Sequence, residues 1–242
     1  MLVAMLAAFP HFASAQTSEL KVMSYNIRLS SAKDGTNSWM YRYAATAEMI
    51  QDQNADVLGL QEALPDQIRF IEQNFSQYKT AGDFASIIWN KKTVSLQKSG
   101  SFDAATWALF KHKETGKKFY VVNVDLDKTP AEEQKAVIAQ ILEKTEAMNK
   151  ESLPIVMTGG FFMKPGDAAL ADLESKMINA RKSAAKTDNT GTYNNWGKTS
   201  EIRDHIYYLS FSVCDEYQTV TKRYADRKFV SDHHPLMVLF TF

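Results

Sequence analysis

The segment Pro154–Pro165 (PIVMTGGFFMKP) limits the folds open to this chain more than any other segment. Ile155–Thr158 is a short, mostly apolar run enclosed by proline and glycine, which is typical of a central strand covered on both faces. In layered α/β proteins, reactive side chains gather where such a strand ends. That end is Gly-Gly-Phe-Phe at 159–162, which contains no titratable group. The segment therefore predicts the backbone of a site without the chemistry of one.

Strands in this sequence occur partly in direct succession and partly separated by helices. The predicted strands are Leu20–Ile27, Val57–Gln61, Phe84–Asn90, Thr93–Phe102, Thr106–His112, Lys118–Asp125, Ile155–Thr158, His205–Ser212, Tyr217–Lys222 and Leu236–Phe242. The predicted helices are Trp39–Gln53 with Tyr43, Ala47 and Ile50 on its buried face, a stripe from Leu64 to Phe75, a helix starting at Pro130 with Thr129 as N-cap, and Asp167–Met177. The mixture predicts an α/β fold, a four-layer α/β sandwich in which helices flank two mixed β-sheets.

Composition predicts a folded domain without a bias toward one sign of charge. Lys+Arg and Asp+Glu each number 28, so the formal net charge is zero. A nucleic-acid partner usually needs a basic surplus, so the balance disfavours such a partner without excluding a local basic cleft. No linker or repeat is visible, and we expect residues 16–242 to form a single domain. We expect no transmembrane segment, and the oligomeric state stays open.

The first fifteen residues resemble a secretory signal peptide. Leu2–Phe9 are almost wholly apolar but too few to cross a bilayer, and Ala13–Ala15 is a small-x-small cleavage site. A signal peptide usually has Lys or Arg before its apolar run, and this sequence has neither there. We expect cleavage after Ala15 and export of the mature chain, to the periplasm or the medium. The alternative is a disordered apolar tail.

Several predicted strands have polar residues at their ends that the strands do not need. These residues are Asn26, Glu62, the alternating set Asn123, Asp125 and Asp127, Asp204, and the Ser231–Pro235 segment SDHHP. Glu62 and Asp232 could hold Mg²⁺, which takes few carboxylates together with water. Asp204 could orient the imidazole of His233 for general acid–base chemistry near neutral pH. Alternatively, Asn26 caps a turn, Glu62 is a solvated loop acid, and Asp204 is an ordinary surface residue.

Six motifs occur in the order seen in the endonuclease/exonuclease/phosphatase superfamily, and the chain resembles the exported bacterial branch of that superfamily. The motifs are KVMSYNI at 21–27, DVLGLQE at 56–62, NVDLD at 123–127, TGGFFMKP at 158–165, RDHI at 203–206 and SDHHP at 231–235. The resemblance implies the four-layer sandwich and a Mg²⁺- or Mn²⁺-dependent attack of water on a phosphomonoester or phosphodiester.

The resemblance also implies roles for seven side chains. Those of the metal end are Asn26, Glu62 and Asp232. Those of the catalytic set are His233, its carboxylate partner Asp204, Asn123 and Asp125. The implied partner is a phosphorylated small molecule or a phosphodiester.

The third and fourth motifs depart from the family's pattern. The third usually reads Asn-Thr-His-Leu-Asp, but Asp125 stands here at the position of the histidine that touches the phosphate. The fourth usually reads Gly-Asp-Phe-Asn, but Gly160 and Phe162 replace the Asp and Asn that hold the attacking water. We interpret the chain as a degenerate family member, weak or inactive as a hydrolase, that acts as a binding or regulatory protein. The alternatives are an active enzyme in which Asp125 holds the water, and a non-catalytic exported binding protein.

Overall fold

The computed structural model describes residues 18–83, 85–102 and 104–242, so the predicted signal peptide and Phe84 lie outside the described residues. The strands are β1 (Glu19–Asn26), β2 (Val57–Gln61), β3 (Tyr78–Ala81), β4 (Ile87–Asn90), β5 (Val94–Phe102), β6 (Ala105–His112), β7 (Lys118–Asp125), β8 (Ile155–Gly160), β9 (Ile178–Asn179), β10 (Asp204–Leu209), β11 (Val213–Thr219) and β12 (Leu236–Thr241). The α-helices are α1 (Trp39–Gln53), α2 (Pro65–Asn74), α3 (Ala131–Met148), α4 (Ala171–Lys176) and α5 (Ala180–Ser183). Short 3₁₀ helices cover Gly35–Asn37, Ala168–Leu170 and Asn195–Gly197.

The strands form two mixed sheets, each with six strands among the described residues. The first sheet has the order β11-β12-β1-β2-β4-β3, and the second has the order β5-β6-β7-β8-β10-β9. Each contains one parallel pair, β1 with β2 and β7 with β8, beside antiparallel pairs. The prediction of an α/β sandwich with two mixed sheets is confirmed.

Successive side chains along the central strands point to opposite faces of each sheet, so each strand packs against the other sheet on one face and against helices on the other. Leu20 and Val22 of β1 belong to the apolar cluster between the two sheets, whereas Met23 belongs to the cluster shared with α1 and α2. In the same way, Val156 of β8 faces the other sheet, and Met157 packs in the cluster shared with α3 and α4. Burying one such side chain contributes about 1.5–3 kcal/mol. These clusters fix the register of the strands whose ends form the site described below.

The predicted helix Asp167–Met177 is a 3₁₀ turn followed by the shorter α4, α5 was not predicted, and two further differences concern α1 and α3. Buried positions of α1 include Ala45, Met49 and Ile50, while Tyr43 is exposed, so the predicted face was partly wrong. Arg42 also belongs to the buried face, where it donates to the main-chain carbonyls of Ile27 and Val230. The prediction that Thr129 caps α3 was also wrong, because Pro130 has an extended ψ of 141° and is itself the N-cap. Over the described ranges, no helix is both long enough and apolar enough to cross a membrane.

The strand predictions failed mainly at the edges of the sheets. β11 runs from Val213 to Thr219, and a register shift between Cys214 and Glu216 breaks the alternation that would reveal it in the sequence. β3 and β9 were not predicted, because strands of four and two residues show too few alternations to be recognised.

Candidate functional site

Strand pairing brings the predicted residues to one edge of the sandwich. Asn26 pairs with Gln61 at the end of the parallel pair in the first sheet. Gly160 is the register partner of both Asp125 and Asp204 in the second sheet. All of the predicted side chains are buried: Asn26, Glu62, Asn123, Asp125, Asp204, Asp232 and His233. The alternatives that treated Glu62 as a solvated loop acid and Asp204 as a surface residue were therefore wrong.

Asp204 and His233 form a hydrogen-bonded acid–imidazole pair. Asp204 Oδ2 accepts a hydrogen bond from His233 Nδ1 at 2.8 Å. Burial on its own lowers the pKa of His233, but the Asp204 carboxylate outweighs it and raises that pKa above its ordinary value. The imidazole is thus oriented by one nitrogen and biased toward its charged form, which suits a general acid.

Thr192 completes this pair and was missed in the sequence. Its hydroxyl donates to Asp204 Oδ2 at 2.5 Å and accepts the backbone N–H groups of Arg203 and Asp204 at 2.9 and 3.0 Å. The other Asp204 oxygen, Oδ1, is buried, and no hydrogen-bond partner for it occurs among the described residues. No motif marks Thr192, because its role depends on a contact twelve residues away that only the fold creates.

The turn after β8 places an aromatic ring where the family pattern has a polar side chain. Phe162 has a left-handed backbone with a φ of 59°, and its N–H donates to the Arg203 carbonyl at 2.9 Å. A Cβ atom on Gly160 would lie 3.0 Å from the Phe162 ring and 3.7 Å from Asp204 Oδ1. The ring therefore occupies the space into which a side chain at 160 would grow.

Two aromatic rings pack against the imidazole of His233. The Phe162 ring lies 5.8 Å from it, centroid to centroid, at an interplanar angle of 67°. The Tyr193 ring lies 4.8 Å from it, and the Arg203 guanidinium carbon is 4.0 Å from the Tyr193 ring centroid. These contacts leave His233 only 2% exposed. The apolar Phe162 ring thus packs directly against His233, the residue predicted to act as general acid or base.

Asn26 and Glu62 are joined by a hydrogen bond at the ends of β1 and β2; the space around the predicted side chains at this edge is called the cleft below. Asn26 Oδ1 accepts the Arg28 backbone N–H at 3.0 Å, so its Nδ2 points to Glu62 Oε1 and donates to it at 2.9 Å. Burial, the largest cause, raises the pKa of Glu62 above its ordinary value, although the Asn26 hydrogen bond opposes this. Asn26 therefore positions the Glu62 carboxylate.

Arg28 lies between the acidic side chains of this region. Its guanidinium forms a bidentate pair with Asp34, with Nε–Oδ2 at 3.1 Å and Nη2–Oδ1 at 3.2 Å. It also lies 3.8 Å from Glu62 Oε2 and 3.7 Å from Asp232 Oδ2. Hydrogen bonding to Asp34 raises the pKa of Arg28, so its positive charge is permanent.

Asp125 lines a small pocket together with Glu62 and Asp127, and both Asn123 and Asp125 bond to the backbone. The Asn123 amide is fully buried, donates to the carbonyls of Leu60 and Ser86, and so ties the two sheets together. Asp125 Oδ2 accepts the Glu62 backbone N–H at 3.0 Å, and Oδ1 accepts that of Asp127 at 3.1 Å. Both side chains therefore hold main-chain segments that shape the cleft.

Arg42 is a second residue that sequence reasoning missed. Its side chain is fully buried in α1 and donates to the carbonyls of Ile27 at 3.0 Å and Val230 at 2.7 Å. These carbonyls flank the segments that carry Asn26 and Asp232. A charged residue on an otherwise apolar helix face was the available signal, but the predicted face was misplaced.

The sequence of residues 23–233, which is most of the chain, matches the sequence model of the Endonuclease/Exonuclease/phosphatase family. This chain belongs to the endonuclease/exonuclease/phosphatase family. Its motif order and its paired sheets agree with that assignment. No match was found among functionally curated proteins.

Solved structures similar to this chain include other family members. A family protein from Bacteroides thetaiotaomicron has 22% identity and a TM-score of 0.84, covering 94% of this chain and 99% of its own. A mannosyl-6-phosphatase from Bacteroides thetaiotaomicron VPI-5482 has 23% identity and a TM-score of 0.83, covering 92% and 100%. TDP2 from D. rerio, solved with a single-strand DNA product, has 17% identity and a TM-score of 0.75, covering 93% and 100%. At these identities the likeness shows the fold.

Members of the family typically depend on a divalent metal ion. Within the described ranges, no group of three or more His, Cys, Asp or Glu side chains is arranged to hold such an ion. Glu62 Oε2 and Asp232 Oδ2 nevertheless both face the Arg28 guanidinium, so they flank one cation already. Two carboxylates suit Mg²⁺, which fills its remaining positions with water and phosphate. The donor set therefore fits such an ion, and Glu62 and Asp232 would hold it.

Proposed function

We propose that this chain binds a phosphate ester in the cleft and has lost most of its family's hydrolytic rate. The packing of the Phe162 ring against His233 carries this proposal. Hydrolysis needs a water molecule held in line with the phosphorus, and the family pattern uses an Asp and an Asn at 160 and 162 for this. Gly160 supplies no side chain, and Phe162 supplies a ring that forms no hydrogen bond with water.

The rest of the cleft supports binding of an anion. His233, paired with Asp204, can donate a hydrogen bond to a phosphate oxygen. A divalent ion held by Glu62 and Asp232 would polarise the phosphate and balance its charge. Both features remain useful to a protein that binds a phosphate ester without cleaving it.

The expected loss of rate is large. A missing proton acceptor typically costs about 10²–10⁴ in rate, and a missing contact to developing charge costs roughly 10²–10³. These effects act on one transition state and are not additive. Either one alone would leave a feeble enzyme.

The rival proposal, in which Asp125 holds the attacking water, has weaker support. Both carboxylate oxygens of Asp125 already accept backbone N–H groups, those of Glu62 and Asp127. Burial, the largest cause, raises the pKa of Asp125, so its charged form is also disfavoured. Each oxygen keeps a further acceptor site, but an attacking water would have to share the oxygen with these N–H groups, which makes Asp125 a weaker acceptor.

Among ligands, we propose a small phosphomonoester such as a sugar phosphate. The zero net charge disfavours a polyanion such as DNA. One similar structure is a mannosyl-6-phosphatase, whereas the similar TDP2 structure contains a DNA product. The sugar phosphate agrees better with the charge balance of this chain.

Binding and turnover of the same compounds test the proposal together. The purified protein would be titrated calorimetrically with mannose 6-phosphate, inorganic phosphate and single-stranded DNA, with Mg²⁺ or Mn²⁺ present. Phosphate release would be assayed beside the Bacteroides mannosyl-6-phosphatase. We expect saturable binding of the sugar phosphate and turnover at least about 10²-fold slower than that enzyme. Comparable turnover that His233→Ala and Asp125→Ala both abolish would establish the rival, and no binding of any compound would exclude a binding role.

We also propose that the mature chain is exported. The apolar run at Leu2–Phe9 and the cleavage pattern at Ala13–Ala15 support this. Mass spectrometry of the protein recovered outside the cytoplasm should find Gln16 at its N-terminus. An intact N-terminus on secreted material would contradict cleavage at that position.

A further inference from the structure

The guanidinium of Arg28 lies beside Glu62 and Asp232, the two carboxylates that would hold a metal ion. Two carboxylate oxygens lie within 4 Å of it: Glu62 Oε2 is 3.8 Å from Nη1, and Asp232 Oδ2 is 3.7 Å from Nε. Glu62 Oε1 accepts from Asn26 and Asp232 Oδ1 accepts the Ser231 hydroxyl at 3.2 Å, while Glu62 Oε2 accepts the Leu29 backbone N–H at a longer 3.4 Å. The oxygens that face Arg28 are therefore also the ones that a metal ion would need.

The backbone fixes Arg28 in this position. Its φ of 62° lies in the left-handed region, which a non-glycine residue adopts only when its surroundings hold it. Its N–H bonds to Asn26, and its carbonyl accepts from Gln67 Nε2 at 2.8 Å and Arg42 Nη2 at 3.3 Å. These three hydrogen bonds to the Arg28 backbone direct its guanidinium toward Asp34, Glu62 and Asp232.

We propose that Arg28 is a built-in cation that competes with a divalent metal ion for Glu62 and Asp232. The side chain is about one-third exposed, and its bidentate bonds to Asp34 hold the guanidinium in this position beside both carboxylates. A metal ion held by Glu62 and Asp232 would lie next to this positive charge and would have to bind against its repulsion. The protein would therefore bind Mg²⁺ weakly, and loss of the Arg28 charge would strengthen that binding.

Electrostatics sets the sign of this coupling. A fixed positive charge within 4 Å of both carboxylates repels a divalent ion and lowers the negative potential that attracts it. Replacing Arg28 by a neutral side chain of similar length leaves Glu62, Asp232 and Asp34 without their shared counter-charge. If Arg28 instead helped a metal ion to bind, its removal would weaken the binding.

The test measures metal binding without any substrate, so its outcome is independent of the proposed function. Calorimetric titration with MgCl₂ and with MnCl₂, at constant ionic strength, would compare the wild type with Arg28→Met, Arg28→Gln and the exposed-site control Arg69→Met. We expect both Arg28 variants to bind the metal at least about tenfold more tightly than the wild type, and the control to be unchanged. Adding Glu62→Gln to Arg28→Met should remove most of the gained affinity.

Three results would overturn the proposal. One is equal metal affinity in wild type and both Arg28 variants, and another is weaker affinity in the variants. The third is a gain of equal size in Arg69→Met, which would point to overall charge and not to the cleft. Because Arg28→Gln keeps an amide that can bond to Asp34, it provides a folded neutral variant if Arg28→Met does not fold.

Discussion

On one side of the cleft, Asn26, Glu62 and Asp232 keep the residues of the family pattern, and hydrogen bonds hold Glu62 in place. On the other side, the turn after β8 keeps its backbone but carries Gly160 and Phe162 where that pattern has Asp and Asn. The comparison separates two demands on a turn. Its backbone supports strand pairing and packing, whereas its polar side chains serve only the chemistry. A chain can therefore lose the second and keep the first without unfolding.

We expect the largest change in stability from Arg42→Met. This variant tests how far the segments that carry Asn26 and Asp232 depend on the buried hydrogen bonds of Arg42. The change leaves the carbonyls of Ile27 and Val230 buried without the Arg42 donor. We expect the free energy of unfolding to fall by about 3–5 kcal/mol, measured by urea denaturation. The exposed control Arg69→Met should change it by less than about 0.5 kcal/mol. A fall below about 1 kcal/mol would mean that other contacts fix these segments.

The altered side can be tested by Gly160→Asp alone and combined with Phe162→Asn. The new Cβ would press on the Phe162 ring at 3.0 Å and place a second carboxylate near Asp204, so the single variant should lose about 1–3 kcal/mol of stability. Asn adopts a left-handed backbone more readily than Phe, so Phe162→Asn should cost little by itself. The double variant should therefore be more stable than the sum of the singles predicts, by about 0.5–3 kcal/mol. Additive changes would show that the ring does not crowd position 160.

The acid–imidazole pair between the two sides predicts a pH dependence. Because the folded-state pKa of His233 is raised, its charged form stabilises the fold below the ordinary value near 6.5, and this contribution is lost as pH rises through the folded value. The destabilisation by His233→Gln should therefore be greater at about pH 6 than at about pH 8.5. Comparing this variant with the wild type at each pH cancels the opposite contributions of His205 and His234, whose pKa values are lowered by burial. Equal destabilisation at both values would argue against a charged His233.

The smallest effect should come from Asp34→Asn, which changes the partially exposed partner of Arg28. A partly exposed ion pair contributes little, so we expect a loss of about 1 kcal/mol or less in urea denaturation. The pH profile of His233 should not change, because Asp34 contacts neither Asp204 nor the imidazole in the described bonds. A loss above about 3 kcal/mol would show that Asp34 supports the cleft as a whole.

The sequence was most informative where one pattern had one meaning. The apolar run at Ile155 and the motif order predicted the central strand and the sandwich. The pair of Asp204 with His233 was also predicted, and its geometry agrees with the role that the motifs imply. Residues such as Thr192 and Arg42 escaped, because each acts on groups that are brought near only by the fold. Spacing in the sequence carries no record of such contacts.

The residue types in the altered turn could be read from the sequence, but their spatial effect could not. The letters show that Gly160 and Phe162 lack polar groups. They do not show that the Phe162 ring folds back over position 160 and onto His233, which depends on the left-handed backbone at 162. Nor do they show that both carboxylate oxygens of Asp125 accept hydrogen bonds from main-chain N–H groups. These contacts give a physical reason for the expected loss of hydrolytic rate, which the missing motif residues alone do not give.

The most direct test of that account is phosphate release by the double variant Gly160→Asp/Phe162→Asn, compared with the wild type on the same sugar phosphate and with the same metal ion. If only the water-holding side chains have been lost, the rate should rise by about 10²-fold or more, and adding His233→Ala should abolish the gain. A folded double variant that binds the sugar phosphate but hydrolyses it no faster than the wild type would contradict the account.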